Sequence, residues 1–154
     1  MKKALIIIGI VITLIISICL AFILKENKKI KLEEKYYDNG ELLRITKDDF
    51  INLEKNKENF ILFVHIPGVC QVSLPFAPIV EEFVEENKIT IYSLPFYDIT
   101  DTSIEEYVKF SPSVLVYKEG KVINYLDSTK DEHLEYYKSL ESFSKWLKEY
   151  VQIK

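Results

Sequence analysis

The stretch that decides the fold is "FILFVHIPGVCQVSLPFAPIVEEF", residues 60 to 83. Its first part, with Asn59 before it and Ile66 at its end, is an unbroken β-branched and aromatic run. Such a run predicts a strand buried on both faces in the middle of a sheet. From Ser73 to Glu86 the period changes. Phe76, Ile79, Val80, Phe83 and Val84 recur at three and four, with Glu81, Glu82, Glu85 and Glu86 opposite them, which predicts an amphipathic helix. Pro75 suits a first turn, and Pro78 is expected to bend the helix. Between strand and helix lie one cysteine, Cys70, and a serine three positions on, Ser73.

Outward from this segment the chain alternates. Upstream, "TKDDFINLEKNK" reads as a helix capped by Thr46, with acids in its first turn. Downstream, "KITIYSL" reads as a strand and "DTSIEEYVKF" as a short helix capped by Asp101 or Thr102. "SPSVLVYKEGKVINYL" reads as a hairpin, Val114 to Tyr117 and Lys121 to Leu126, turning at Gly120. "SLESFSKWLKEYVQ" puts Leu140, Phe143, Leu147, Tyr150 and Val151 on one face of a closing helix. The predicted class is α/β, a mixed sheet covered by helices on both faces.

The N-terminus is different in kind. "ALIIIGIVITLIISICLAFIL", Ala4 to Leu24, carries no charge and is long enough to cross a bilayer core of about 30 Å. A cleaved signal peptide would have a shorter apolar region and a small-x-small site at its end. A lipoprotein signal would have a small residue before Cys19, where Ile18 stands. We therefore read residues 1–24 as an uncleaved membrane anchor with its transmembrane part at 4–24. Residues 25–43 are read as a lysine- and glutamate-rich tether, and 44–154 as the folded domain. Lysines flank the block on both sides, so their count does not set the orientation. The "MKK" start resembles an export signal and places the domain outside the cell membrane.

Residues 36 to 154 hold 13 Lys and Arg against 21 Asp and Glu, a net of -8. This disfavours nucleic acid, whose phosphates need a basic surface. The chain has two cysteines, Cys19 and Cys70, and two histidines, His65 and His133, without ligand spacing. Neither an internal disulfide in the domain nor a metal centre is expected, and no cofactor is. His65, in a strand, reads as a packed core residue.

The order of elements, with a cysteine at the mouth of a proline-containing helix, resembles the thioredoxin fold. "FILFVHIPGVCQVSLPFAPIVEEF" resembles the central strand, redox motif and kinked helix. "FSPSVLVYKEGKVI" resembles the segment holding the family's cis-proline, which falls on Pro112. "LESFSKWLKEY" resembles the closing helix. The likeness spans roughly 44 to 154, with extra residues near 127 to 138. An anchored acidic domain of this kind resembles extracytoplasmic thioredoxin-like proteins of Gram-positive bacteria, among them accessory proteins of bacteriocin export.

The resemblance implies a role for Cys70 as the attacking thiol, since thiolates are stabilised at helix N-termini. It also implies a substrate-facing groove of Val69, Ser111 and Pro112. The departures matter as much. Ser73 stands where the second, resolving cysteine belongs, and a hydroxyl is not a redox partner, so it serves at most as a helix cap. Val69 replaces the usual aromatic residue, and Val64 falls where the family has a buried acid. The site is thus CxxS. Its expected partners are thiols or disulfides of client proteins or peptides, and the membrane through the N-terminal helix. Two functions remain open: monothiol exchange with clients, as an isomerase-like helper or a trap, and a redox-inactive binding or export-accessory module.

Overall fold

A computed structural model describes residues 29–68 and 75–153. The anchor reading for 4–24 falls outside these residues. Among those described, no helix is long and apolar enough to cross a membrane.

The centre is β3, Phe60–His65, whose first five residues are all fully buried. Burial on both faces is what an uninterrupted apolar strand requires. On one side β3 runs parallel to β4, Ile91–Pro95, with His65 opposite Pro95. On the other it runs antiparallel to β5, Ser113–Lys118, with Val64 opposite Ser113. β5 continues through the turn at Glu119 and Gly120 into β6, Lys121–Asp127. The other edge is β2, Leu42–Arg44, parallel to β4. The sheet order is β2-β4-β3-β5-β6.

Three helices cover it. α1, Lys47–Lys55, begins at Thr46, whose side chain accepts from the Asp49 amide while the Asp49 carboxylate accepts from the Thr46 amide, a reciprocal capping box. On this side Phe50 meets Tyr117 edge-on at 5.9 Å, and Tyr117 stacks on its cross-strand partner Phe60 at 4.2 Å. α2, Ala77–Asn87, and α3, Leu140–Tyr150, cover the other face. There Phe63, Phe76, Phe83 and Phe143 form a chain of edge contacts at 5.1 to 5.9 Å. Each such ring, fully buried, contributes on the order of 1.5–3 kcal/mol.

The Ser111–Pro112 peptide is cis, as expected from "FSPSVLVY". Other expectations are corrected. The region read as a tether is packed from Ile30 onward. β1, Ile30–Lys31, pairs parallel with β7, Val151–Gln152, and Ile30, Leu32, Tyr36 and Tyr37 are buried. Lys35 and Tyr36 both hold the carboxylate of Glu58, and Tyr37 Oη donates to the Gln152 carbonyl at 3.0 Å. The charged residues around these apolar ones hide the pattern in sequence.

Residues 101–110, read as a helix, form successive turns. Only Val108 N–H to the Ile104 carbonyl, at 2.9 Å, is an α-type bond, and both side chains are buried. One turn does not recover the cost of helix nucleation. Pro78 was expected to bend a longer helix. The described helix starts at Ala77, so Pro78 stands in a first turn, where its missing N–H has no intrahelical acceptor to lose.

Candidate functional site

Val69, Cys70 and Ser73 lie outside the described residues. What the structure fixes is the platform from which their segment leaves. β3 ends at His65, and the chain continues through Ile66, Pro67 and Gly68. At that end of the sheet the register sets Leu94, Val64, Ser113 and Asp127 in a row, with His65 and Pro95 paired one residue further on. Pro112, buried, immediately precedes Ser113, and Ser111 beside it is partly exposed. The structure therefore brings Ser111 and Pro112 to the strand end that leads toward Cys70.

Pro112 is held from behind. The Tyr137 hydroxyl donates to its carbonyl at 3.1 Å, with Tyr137 almost fully buried. The Tyr137 ring lies 4.5 Å from that of Phe76, just ahead of α2. Burial, and then the nearby Asp127 carboxylate, push the Tyr137 phenol far above its ordinary pKa, so it stays a donor. Tyr137 closes a 3₁₀ segment, Asp131–Tyr137, within the extra residues at 127–138. That segment is pinned in turn. Asp127 N–H donates to His133 Nδ1 at 3.0 Å, and Asp127 Oδ1 accepts from the amide and hydroxyl of Thr129 at 2.9 and 2.7 Å. Ser113 Oγ donates to the Phe110 carbonyl at 2.9 Å, closing the loop before β5.

His65 is half-buried and is not loosely packed. Its Nε2 lies 2.8 Å from Ser93 Oγ, and its ring stacks on Phe63 at 4.6 Å. Burial first, and the Arg44 guanidinium second, hold its pKa below the ordinary imidazole value, which favours the neutral ring. Val64, the residue before His65, is fully buried.

Two aromatic side chains at this end are exposed: Tyr97, 60% exposed just past β4, and Phe110, 58% exposed just before Ser111. No local sequence signal marks Tyr97, Phe110 or Tyr137 for these positions. Their placement follows from strand register, which no local pattern encodes. A shallow cleft of about 440 Å³ lies elsewhere, at the β2 edge, lined by Lys35, Arg44, Asp49, Glu58 and Tyr92 among others. Among the described residues no group of three or more His, Cys, Asp and Glu side chains could hold a metal ion.

The chain matches no protein-family profile. A relative in Aquifex aeolicus (strain VF5), described only as an uncharacterized protein, is 28% identical over 96 residues, 58% of this chain and 79% of the relative. Among solved structures, oxidised thioredoxin O1 from Arabidopsis thaliana superposes with a TM-score of 0.51 at 11% identity, covering 72% of this chain and 98% of that one. Spinach chloroplast thioredoxin f (long form) gives a TM-score of 0.46 at 18% identity, covering 76% and 95%. A putative oxidoreductase with a thioredoxin fold gives 0.47 at 18%, covering 68% and 91%. At these identities the likeness speaks to architecture, and the Arabidopsis structure carries it. With the sheet order and flanking helices above, the domain of this chain has a thioredoxin-like fold.

Proposed function

We propose that this chain is a membrane-anchored, extracytoplasmic thioredoxin-like protein that engages thiols or disulfides of client proteins through Cys70 alone. The observation that supports this most is the pairing of Val64 with Ser113, which sets Pro112 beside the His65 end of β3, the end that leads toward Cys70. In the reaction proposed, the Cys70 thiolate attacks one sulfur of a client disulfide. The client S–S bond breaks, its other sulfur leaves as a thiolate, and a mixed disulfide forms. Ser73 cannot displace the client. A second thiol, from the client or from a small thiol in solution, attacks the mixed disulfide and returns Cys70 to its reduced form. The protein therefore shuffles disulfides without net electron transfer of its own. Val64 fits this reading, since without a resolving thiol a buried proton carrier has nothing to serve.

A second reading is favoured by exposed Tyr97 and Phe110 flanking the same end. It is a redox-inactive module that holds a peptide there, as an accessory of peptide or bacteriocin export would. Turnover distinguishes the two. Wild type should reduce insulin disulfides only in step with added thiol, and Ser73→Cys should gain slow turnover. If Ser73→Cys forms no disulfide with Cys70 and shows no turnover, the exchange reading fails and the binding module stands.

A further inference from the structure

The described chain enters the domain at one particular end, and that end carries a cluster of exposed lysines. Asn59, the residue before β3, donates through Nδ2 to the Lys31 carbonyl at 3.0 Å. Lys35 and Tyr36 reach Glu58, one residue earlier. The chain thus enters at the start of β3, whereas Pro112 and His65 lie at its finish. Six strand residues at about 3.3 Å each separate the two ends by about 20 Å. Between Leu24 and Ile30 stand five residues, 25–29. Even fully extended they reach only about 20 Å.

The β5–β6 turn is fixed to the same end. Gly120 N–H donates to the Glu58 carbonyl at 3.0 Å, and Glu119 N–H donates to Asn59 Oδ1 at 2.8 Å. A Cβ at Gly120 would stand 2.2 Å from the Glu54 carbonyl, so the turn also abuts the last turn of α1. These contacts gather Lys55, Lys57, Lys118 and Lys121, all exposed. None of the four makes an ion pair among the described residues. On this side Glu33 and Glu58 share Lys35, Glu34 lies 3.8 Å from Lys31, and the Glu54 carboxylate accepts from Ser103 Oγ, so Glu54 and Glu119 are the carboxylates that stand against the four lysines. Glu81, Glu82, Glu85 and Glu86 sit along the side of α2. An acidic domain, net -8 over residues 36–154, thus turns a cluster of lysines toward the point where its chain leaves for the bilayer.

We infer that this end, built from Lys55, Lys57, Lys118 and Lys121, is a seat for an anionic phospholipid surface, which holds the Pro112 end outward from the membrane. The inference rests on the anchor reading for residues 4–24. The short link keeps the seat within reach of the headgroups, where each lysine is attracted to anionic lipid within a Debye length. The seat fixes an orientation: clients are met by the face carrying Pro112, Tyr97 and Phe110, and not by the face against the lipid.

The test uses the full chain, with Cys19→Ser and Cys70→Ser, reconstituted in phosphatidylcholine vesicles with or without phosphatidylglycerol. A fluorophore is placed at Lys118→Cys or at Tyr97→Cys, and nitroxide-headgroup lipid is the quencher. In phosphatidylglycerol vesicles the Lys118 probe should be quenched and the Tyr97 probe should not. Quenching at Lys118 should be lost without phosphatidylglycerol, and lost in Lys55→Glu/Lys57→Glu/Lys121→Glu. Equal quenching of the two probes, or quenching indifferent to lipid charge and to charge reversal, overturns the seat while leaving the anchor intact. If the chain fails to float with the vesicles, the anchor reading fails and the seat falls with it.

Discussion

The Tyr137 hydroxyl donates to the Pro112 carbonyl at 3.1 Å in a fully buried setting, tying the extra segment at 127–138 to the loop that enters β5. The same ring packs against Phe76 at 4.5 Å. One side chain thus braces the loop before β5 and the approach to α2. Tyr137→Phe keeps the ring and removes the donor, leaving the carbonyl without that partner. We expect a loss of about 1–2 kcal/mol in unfolding free energy. Tyr137→Ala should cost more, about 3–5 kcal/mol, because it also empties a core position. Urea midpoints at unchanged m-value measure both. A Tyr137→Phe variant as stable as wild type would show that the bond contributes nothing.

His65 supplies a pH dependence. Its folded pKa is held down by burial and then by Arg44, while in the unfolded chain it returns to about 6.5. Between those values the unfolded state binds more protons. The stability the neutral ring contributes is therefore present above about pH 6.5 and is lost as pH falls through the folded value. His65→Gln keeps a group able to bond Ser93 but removes the titration. Across urea midpoints from pH 7.5 to 5.5, wild type should lose stability more steeply than the variant. Parallel slopes would contradict the assignment.

Two of the three described glycines at positive φ, Gly120 and Gly68, should respond differently to alanine. Gly120, at φ 72°, has no room, since its Cβ would meet the Glu54 carbonyl at 2.2 Å. Gly68, at φ 75°, has no atom of the described residues within 4 Å of its would-be Cβ. Gly68→Ala should cost only the left-handed backbone penalty, about 1–2 kcal/mol. Gly120→Ala should exceed it, since the clash with Glu54 backbone adds to the same penalty. Thermal unfolding of the pair reads the order directly.

Much of this architecture is legible in the sequence, for a reason visible in particular residues. β3 is apolar at every position from Phe60 to Val64, α1 carries its capping box at Thr46 and Asp49, and Gly120 marks the hairpin. Each signal is local. β1 and β2 are two and three residues long, too short for a period, and become strands because Val151 and Ile91 are there to pair with them. The helix read at 101–110 fails because Ile104 and Val108 span a single turn. The candidate site divides the same way. Pro112 is announced by "FSPSVLVY", but Tyr137 is brought to it across 25 residues. His65 and Ser93 meet only because β3 and β4 pair.

The most direct test of the central claim is acid-quenched trapping of the full chain in cells that express it. Free thiols are alkylated at the quench, and disulfide-linked species are separated before and after reduction. Client engagement through a single thiol predicts mixed disulfides in wild type that the quench captures, because Ser73 cannot resolve them and only an outside thiol does. It predicts their disappearance in Cys70→Ala and their retention in Cys19→Ser. If wild type carries none, with Cys70 recovered as alkylated free thiol, the claim that this protein acts through Cys70 is contradicted.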